Sequence, residues 1–168
     1  RKFTIMDASF DSINKYGIYF KRIDTLAYDS ILIANNEFLH AGSSTSFIKF
    51  EGFDKHHIIT TEYWWEGVQS FTQRCRISIL DNLYETPLTG SSIIGIHLIN
   101  SAAGVANNII TAPGLLYGIY QQWDNTSIQK SSSFLCNNII KHCHVTGDSA
   151  SGIRTENWFG YSKLNEID

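Results

Sequence analysis

Two acidic residues in the last third of the sequence have the surroundings that acid–base catalysis requires. Asp124 directly follows Trp123, and Glu156 lies between Arg154 and Trp158. An apolar neighbour raises the pKa of a carboxyl group, whereas an arginine keeps a second carboxyl group ionised. Such a pair could hydrolyse a glycosidic bond if the fold brought the two groups together. The alternative is a salt bridge between Arg154 and Asp124, which contributes little when it is exposed.

A second candidate is the aromatic stretch TEYWWEGVQ at 61–69, in which glutamates flank two tryptophans. Alternate residues of a strand point to opposite faces, so Trp64 and Glu66 share one face and Trp65 takes the other. We therefore expect one tryptophan in the core and Trp64 exposed, where it could stack on a sugar ring. Glu66 and Glu51 would then be a second pair of catalytic carboxylates. The alternative for the aromatic residues is packing against a neighbouring subunit.

Composition narrows the function classes. The chain has 168 residues, enough for one domain with a sizeable core, and 13% of them are aromatic. Lysine and arginine are scattered and the net charge is −3, so nothing favours a nucleic-acid partner. No apolar run reaches the roughly 18 residues of a membrane span, which argues against membrane insertion. The sequence begins in strand-like residues without an initiator methionine or a signal segment, and we expect a fragment of a longer protein.

The cysteines indicate neither a disulfide framework nor a metal site. Cys75, Cys136 and Cys143 are odd in number and form no CxxC pair. In the string KHCHV, His142 and His144 would share one strand face, but no third ligand is evident. We expect Cys143 to be a small core residue, and we expect no metal ion and no cofactor.

Internal repeats decide the predicted fold. One half-motif runs from an apolar residue through a small or acidic residue to asparagine: LIANNEF (32–38), ILDNLY (79–84), GVANNII (104–110) and FLCNNIIKH (134–142), with TIMDASF (4–10) as a degenerate copy. The second half-motif is anchored by an aliphatic residue, usually after glycine: Ile18, Ile48, Val68, Ile96, Ile119 and Ile153. Strands that recur while the segments between them vary in length are typical of a β-solenoid. A β-sandwich with asparagine turns is the alternative, but it would not repeat this order.

The asparagines and glycines of the repeat have predictable roles. Asparagine tolerates the left-handed backbone that a tight corner needs, and its amide can bond the asparagine of the next turn. We therefore predict an internal ladder of Asn36, Asn82, Asn108 and Asn138. The glycines that precede the aliphatic anchors would permit a second tight corner.

The pattern NNII…GI resembles the right-handed parallel β-helix of the pectate-lyase type, over about residues 3–158. Pectate lyases, polygalacturonases, related glycan epimerases and bacteriophage tailspike depolymerases share that architecture. The resemblance implies an all-β chain that forms a single-stranded parallel β-helix of about six coils, as one domain over residues 1–168. No capping helix is evident, so we expect other domains or subunits to cover the ends. The aspartate cluster of calcium-dependent lyases and the motifs of polygalacturonases are missing from this sequence.

If each aliphatic anchor points inward, the residues beside it point outward. The first predicted outward column is Tyr19, Lys49, Gln69, His97, Tyr120 and Arg154, and the second is Lys21, Glu51, Phe71, Ile99 or Asn100, Gln122 and Glu156. The resemblance implies that this sheet forms the floor of a substrate groove. The predicted substrate-binding residues are Lys49, Trp64, His97, Tyr120, Trp123, Arg154 and Trp158. The alternative is a solvated outer face without a ligand.

Strand spacing indicates which carboxylates could act together. Adjacent coils lie about 4.8 Å apart, so Glu51 and Glu156, four coils apart in this scheme, are separated by about 19 Å. That exceeds the ~5–9.5 Å of a glycosidase pair. In this scheme we expect Asp124 to lie diagonally across from Glu156 at about 7–8 Å, within the inverting range. A lyase would instead need a base and a group that neutralises the substrate carboxylate. The candidates for those two roles are Lys49, His97 and Arg154.

Three hypotheses from different classes follow. The chain could be a hydrolase or lyase acting on a bacterial surface polysaccharide or another acidic polysaccharide, as the resemblance to tailspike depolymerases implies. It could be a non-catalytic receptor-binding module on the same scaffold, or a structural spacer of a trimeric spike. The expected partners are an oligosaccharide and the sister chains of a homotrimer, and the expected location is the virion surface or the extracellular space.

Overall fold

The computed structural model describes ten ranges of the chain: 2–21, 30–42, 45–52, 58–59, 74–75, 77–86, 92–123, 133–141, 150–156 and 160–168. Within these ranges the secondary structure consists of nineteen β-strands, without a helix. No helix of the described residues is therefore long and apolar enough to cross a membrane.

Seventeen of these strands form three parallel sheets. The first sheet contains, in spatial order, β1 (Lys2–Met6), β4 (Ser30–Ala34), β9 (Ile77–Leu80), β12 (Gly104–Ala106), β15 (Ser133–Cys136) and β18 (Gly160–Lys163). The second sheet contains β2 (Ser9–Phe10), β5 (Glu37–Leu39), β10 (Leu83–Glu85), β13 (Ile109–Thr111), β16 (Ile139–Lys141) and β19 (Glu166–Ile167). The third sheet contains β3 (Tyr16–Lys21), β6 (Ser46–Glu51), β11 (Ile93–Ile99), β14 (Leu115–Gln122) and β17 (Ser151–Glu156).

The chain visits the three sheets in turn, once per coil. Thus β1, β2 and β3 make the first coil, β4, β5 and β6 the second, and β18 and β19 the sixth. Every neighbouring pair within these sheets is parallel, as expected when each coil stacks on the one before it. The predicted all-β parallel β-helix of about six coils is confirmed.

The predicted row of aliphatic anchors is also confirmed. Ile18 pairs with Ile48, Ile48 with Ile96, Ile96 with Ile119, and Ile119 with Ile153 across the third sheet. The first sheet adds the inward row Ile33, Ile79, Val105 and Leu135, and the second adds Phe38, Tyr84, Ile110 and Ile140. These rows meet in one apolar core, and stacking identical or similar shapes coil on coil keeps it closely packed.

One predicted coil does not lie where the sequence pattern placed it. The spacing of the repeats put a coil around Val68, between Ile48 and Ile96. In the structure β6 pairs directly with β11, so the third sheet has no place for a strand between them. Val68 and its neighbours lie outside the described ranges. The same long connection contains two short described strands, β7 (Ile58–Ile59) and β8 (Arg74–Cys75), which pair in antiparallel fashion. The repeat scheme failed here because a short Gly–Val pair is a weak signal inside a long insertion.

The asparagine ladder runs along the corner between the first and second sheets. Asn82 Nδ2 donates to Asn108 Oδ1 at 2.9 Å, and Asn108 Nδ2 donates to Asn138 Oδ1 at 3.0 Å. Asn36 extends the ladder at one end with a 3.0 Å bond to Asn82, and Asn165 extends it at the other with a 2.8 Å bond from Asn138. Each amide oxygen also accepts a backbone N–H from the preceding coil, as Asn108 Oδ1 does from Asn82 and Asn36 Oδ1 does from Ala8, both at 3.1 Å. The ladder therefore satisfies polar groups that a buried corner would otherwise leave unpaired.

The left-handed backbone of this corner belongs to the residue before each ladder asparagine and, in the first coil, to Asp7 before Ala8. Positive φ angles of 53° to 57° occur at Asp7, Asn35, Asp81, Asn107, Asn137 and Leu164. The sequence interpretation gave both tasks to one asparagine. In the structure two consecutive residues share these roles: an exposed residue adopts the left-handed backbone angle, and the asparagine after it points its side-chain amide inward. Asparagine and aspartate suit the first task, which explains the recurring NN and DN pairs.

A second corner interrupts the strands of the third sheet. Gly118 and Ile119 are both buried, as are Phe47 and Ile48, so two consecutive residues face inward. A Cβ on Gly118 would lie 2.4 Å from the Ile140 side chain. The absence of a side chain at Gly118 therefore lets Ile140, in the inward row of the second sheet, pack against this strand. This inward pair resets the alternation of the strand and decides which residues appear on its outer face.

Candidate functional site

The outer face of the third sheet carries the residues that the sequence analysis selected. Tyr19 pairs with Lys49, Lys49 with His97, His97 with Tyr120, and Tyr120 with Arg154, one residue from each of five successive coils. A second column beside it contains Lys21, Glu51, Ile99, Gln122 and Glu156. Both columns agree with the predicted ones except for Gln69 and Phe71, which lie outside the described residues.

The inward Gly–Ile pair brings two further tyrosines to this face. Strict alternation would send residues three apart on a strand to opposite sides. Because Gly17 and Ile18 both turn toward the core, Tyr16 lies on the same side as Tyr19, with ring centroids 4.8 Å apart. Gly118 and Ile119 have the same effect, and the rings of Tyr117 and Tyr120 lie 4.9 Å apart. Sequence reasoning missed Tyr16 and Tyr117, although the repeated string YGIY was the signal for them.

The N-terminal cluster comprises Tyr16, Tyr19, Lys49 and Glu51, from the first two coils. Tyr19 donates a 2.8 Å hydrogen bond from its hydroxyl to Glu51. The Lys49 ammonium lies 5.2 Å from the centroid of Tyr16 and 5.4 Å from that of Tyr19, within cation–π range. Glu51 also pairs with Lys49 at 3.8 Å and with Lys21 at 3.1 Å. Tyr19 is 40% exposed, so its ring remains accessible from solvent.

The C-terminal cluster comprises Tyr117, Tyr120, Arg154 and Glu156, from the fourth and fifth coils. Arg154 donates to Glu156 at 2.9 and 3.1 Å and to the Tyr117 hydroxyl at 2.8 Å. Its guanidinium carbon lies 5.1 Å from the centroid of Tyr117 and 5.9 Å from that of Tyr120. The Tyr120 hydroxyl interacts with Glu156 and lowers the pKa of that carboxyl group. A planar cation thus holds both the carboxylate and one tyrosine in a fixed position.

His97 lies on the coil between the two clusters. Its imidazole stacks on Tyr120, with centroids 4.9 Å apart and planes 14° apart. Burial, reinforced by the positive charge of Lys49, lowers the pKa of His97 to about 4. Nε2 of His97 is buried without a hydrogen-bond partner among the described residues. At neutral pH the ring is therefore uncharged and contributes a flat aromatic surface to the middle of the face.

Both glutamates of the face are held ionised. The hydrogen bond from Tyr19 is the main cause that lowers the pKa of Glu51, followed by that from Lys21. The hydrogen bond from Tyr120 is likewise the main cause that lowers the pKa of Glu156, followed by that from Arg154. In return, Glu51 raises the pKa of Tyr19 to about 12. Neither carboxyl group stores a proton at neutral pH, which removes both from the role of general acid.

Glu51 and Glu156 lie too far apart to act as a pair. They occupy equivalent register positions on β6 and β17, with β11 and β14 between them. The separation is three strand spacings, about 14 Å, rather than the four predicted. This still exceeds the ~5–9.5 Å that a glycosidase pair spans.

Several predicted site residues fall elsewhere. Trp123 is only 1% exposed, so its ring packs inside the protein instead of offering a face to a sugar. The remaining predicted catalytic and stacking residues lie outside the described ranges: Trp64, Glu66, Asp124 and Trp158. So do Cys143, His142 and His144. Among the residues that the structure describes, no group of three His, Cys, Asp or Glu side chains converges on a metal-binding position.

No protein-family model, no curated protein and no solved structure matches this chain. The interpretation of the site therefore rests on the coil geometry and on the contacts of the outer face.

Proposed function

We propose that the chain binds a glycan along the outer face of the third sheet. The observation that carries this proposal is the continuous row Tyr19, Lys49, His97, Tyr120 and Arg154, which crosses five coils in register. Four strand spacings make this row about 19 Å long, the shape of a track for a linear polymer. Flat aromatic rings suit the apolar faces of sugars, whereas carboxylates and a guanidinium suit their hydroxyl and carboxylate groups.

Binding fits the described residues better than catalysis does. Glu51 and Glu156 are ionised and about 14 Å apart, which suits neither hydrolytic mechanism. His97, with a pKa of about 4, is a weak base at neutral pH, so it is a poor proton acceptor for a lyase. Cleavage by Asp124 with Glu156 stays a prediction, because Asp124 lies outside the described residues.

The biological setting that we propose follows the resemblance to pectate-lyase-type proteins and phage tailspikes. A β-helix with a glycan-binding face suits one segment of a homotrimeric spike, on a virion surface or outside the cell. A structural spacer remains the competing proposal, in which the same tyrosines contact sister chains, since aromatic residues are enriched in interface cores.

An array of bacterial surface polysaccharides and uronic-acid polymers tests the proposed function. We expect the chain to bind at least one acidic polymer, and the double variant Tyr19→Ala/Tyr120→Ala to lose that binding. Glu85→Gln, an exposed change on the second sheet, is the matched control and should bind normally. Binding that survives the double variant would contradict the assignment of this face.

Two additional readouts separate the competing functions. New reducing ends in the bound polymer would indicate cleavage, and Asp124→Asn should then abolish the cleavage but leave binding intact. A mass of three chains by light scattering, without any glycan bound, would favour the spacer.

A further inference from the structure

The two tyrosine clusters are near copies of each other in sequence. The string YGIY occurs at 16–19 and again at 117–120. The strand that follows each in the sheet carries an isoleucine, a cation and, two residues later, a glutamate: IKFE at 48–51 and IRTE at 153–156. The register is also the same, since Tyr19 pairs with Lys49 as Tyr120 pairs with Arg154.

Their contacts are duplicated as well. The two tyrosine rings lie 4.8 Å apart in the N-terminal cluster and 4.9 Å apart in the C-terminal cluster. In each, the cation lies 5.1–5.9 Å from both ring centroids and pairs with the glutamate. In each, the second tyrosine lowers the pKa of that glutamate, and Tyr19 does so through a 2.8 Å hydrogen bond. A solvated surface has no need for this correspondence of five contacts.

The stacking of the coils fixes how the copies are related. The first tyrosine strand, β3, is separated from the second, β14, by three strand spacings, about 14 Å. All five strands are parallel, so the second cluster is shifted along the helix axis and keeps the same direction. Among the described residues of this sheet, those of β11, including His97, lie between the clusters.

The charge of the face indicates what kind of polymer fits it. Lys21, Lys49 and Arg154 face Glu51 and Glu156, and His97 is neutral at pH 7. Lys15, whose ammonium lies 5.4 Å from the Tyr16 ring centroid, adds a fourth positive charge. Four positive and two negative charges leave a net charge of +2 on this face, whereas the whole chain carries −3. The described charges of this face are therefore net positive although the chain as a whole is acidic, which favours an anionic ligand.

We propose that the two clusters are equivalent subsites for one linear uronic-acid-containing glycan, whose repeat presents the same group to both. This inference rests on the proposed function and specifies it. A glycan chain has a defined direction from one end to the other. Along this face it would contact the same tyrosine pair, cation and carboxylate twice, in the same orientation. Simultaneous engagement makes the second contact intramolecular and strengthens binding by about 10²–10⁴-fold over one subsite.

Chain-length dependence of binding tests this arrangement. The probes are alginate, oligogalacturonate and hyaluronan oligosaccharides of defined length, from disaccharides to dodecasaccharides, titrated by calorimetry. Short members that fill one cluster should bind weakly with two per chain. Members long enough to span both clusters should bind one per chain and at least about 10²-fold more tightly.

Cluster variants make the test specific. Tyr19→Ala and Tyr120→Ala should each reduce the stoichiometry of short oligosaccharides from two to one. Each should also remove the affinity gain of the long ones, with Glu85→Gln as the unaffected control. Thermal melting of each variant confirms that it is folded.

The outcomes separate this inference from the proposed function. Two results would overturn the paired subsites but keep a glycan-binding face. In the first, long oligosaccharides bind but short ones bind at only one per chain. In the second, only one of the two tyrosine variants weakens the binding of long oligosaccharides. Absence of binding to every member of the three series overturns the uronic-acid subsites, and absence of binding across the polysaccharide array as well overturns the proposed function.

Discussion

The imidazole ring of His97 lies flat against the phenol ring of Tyr120 on the next coil, with the ring planes 14° apart. This contact joins the C-terminal cluster to the coil that separates it from Lys49. It depends on a neutral histidine, because burial opposes a charge on the ring and Lys49 repels it.

The stability of the protein should therefore fall on mild acidification. The pKa of His97 is about 4 in the folded protein against an ordinary 6.5. Between these values the unfolded chain binds a proton that the folded chain does not, so stability decreases as the pH falls from 6.5 toward 4. The measurement is the melting temperature across this range.

His97→Phe is the matched control for that pH dependence, because it retains a flat ring against Tyr120 but cannot titrate. Its melting temperature should decline less than that of the wild type between pH 6.5 and 4. The glutamates Glu51 and Glu156 act in the same direction only at lower pH, and they are present in both proteins. Parallel curves for the two proteins would show that His97 does not control this transition.

The Tyr19 hydroxyl should determine the acidity of Glu51. Tyr19→Phe keeps the ring near Tyr16 and Lys49 but removes the main cause of the lowered carboxyl pKa, so the pKa of Glu51 should rise toward its ordinary value. In the reverse experiment, Glu51→Gln should lower the pKa of Tyr19 from about 12 toward 10. Carboxyl-carbon NMR titration measures the first shift and tyrosinate absorbance the second. Unchanged values would mean that the hydrogen bond does not persist in solution.

Asn108 should be one of the most sensitive positions for stability. Asn108→Ala removes the acceptor of the Asn82 backbone N–H and the donor to the Ile79 carbonyl, at 3.1 and 3.0 Å. Each buried polar group left unpaired costs about 1–3 kcal/mol, so we expect a loss of about 2–4 kcal/mol in urea unfolding.

The neighbouring Asn107 provides the control for this substitution. It is exposed and has a φ of 57°, which glycine adopts freely, so Asn107→Gly should change the free energy of unfolding by less than about 1 kcal/mol. A similar loss in both variants would argue that the ladder is not the source of the effect.

The sixth coil contains a residue poorly suited to its backbone. Leu164 has a φ of 53° where all five other coils place asparagine or aspartate, and it is 64% exposed. Leu164→Asn should raise stability by about 1 kcal/mol, because asparagine tolerates this conformation and leucine does not. Leu164→Ala, which removes the apolar side chain without relieving the backbone, should not. Equal melting temperatures for the Asn and Ala variants would contradict this explanation.

The repeat pattern predicted most of the scaffold for a physical reason. Stacked coils place equivalent residues in contact, so the anchor Ile96 and the ladder residue Asn108 could be assigned without coordinates. Tyr16 and Tyr117 escaped the prediction because strict alternation hid the Gly–Ile corner that brings them outward. Trp123 was misjudged as accessible, since burial after the end of a strand depends on packing that no local pattern records.

The most direct test of the glycan-binding face is an NMR titration of the protein with ring-labelled tyrosines, using the same uronic-acid oligosaccharides. The ring signals of Tyr19 and Tyr120 should shift together as the oligosaccharide is added, whereas the fully buried Tyr84 should not respond. Signals of Tyr19 and Tyr120 that stay unchanged while the oligosaccharide binds would place the ligand elsewhere and contradict the account.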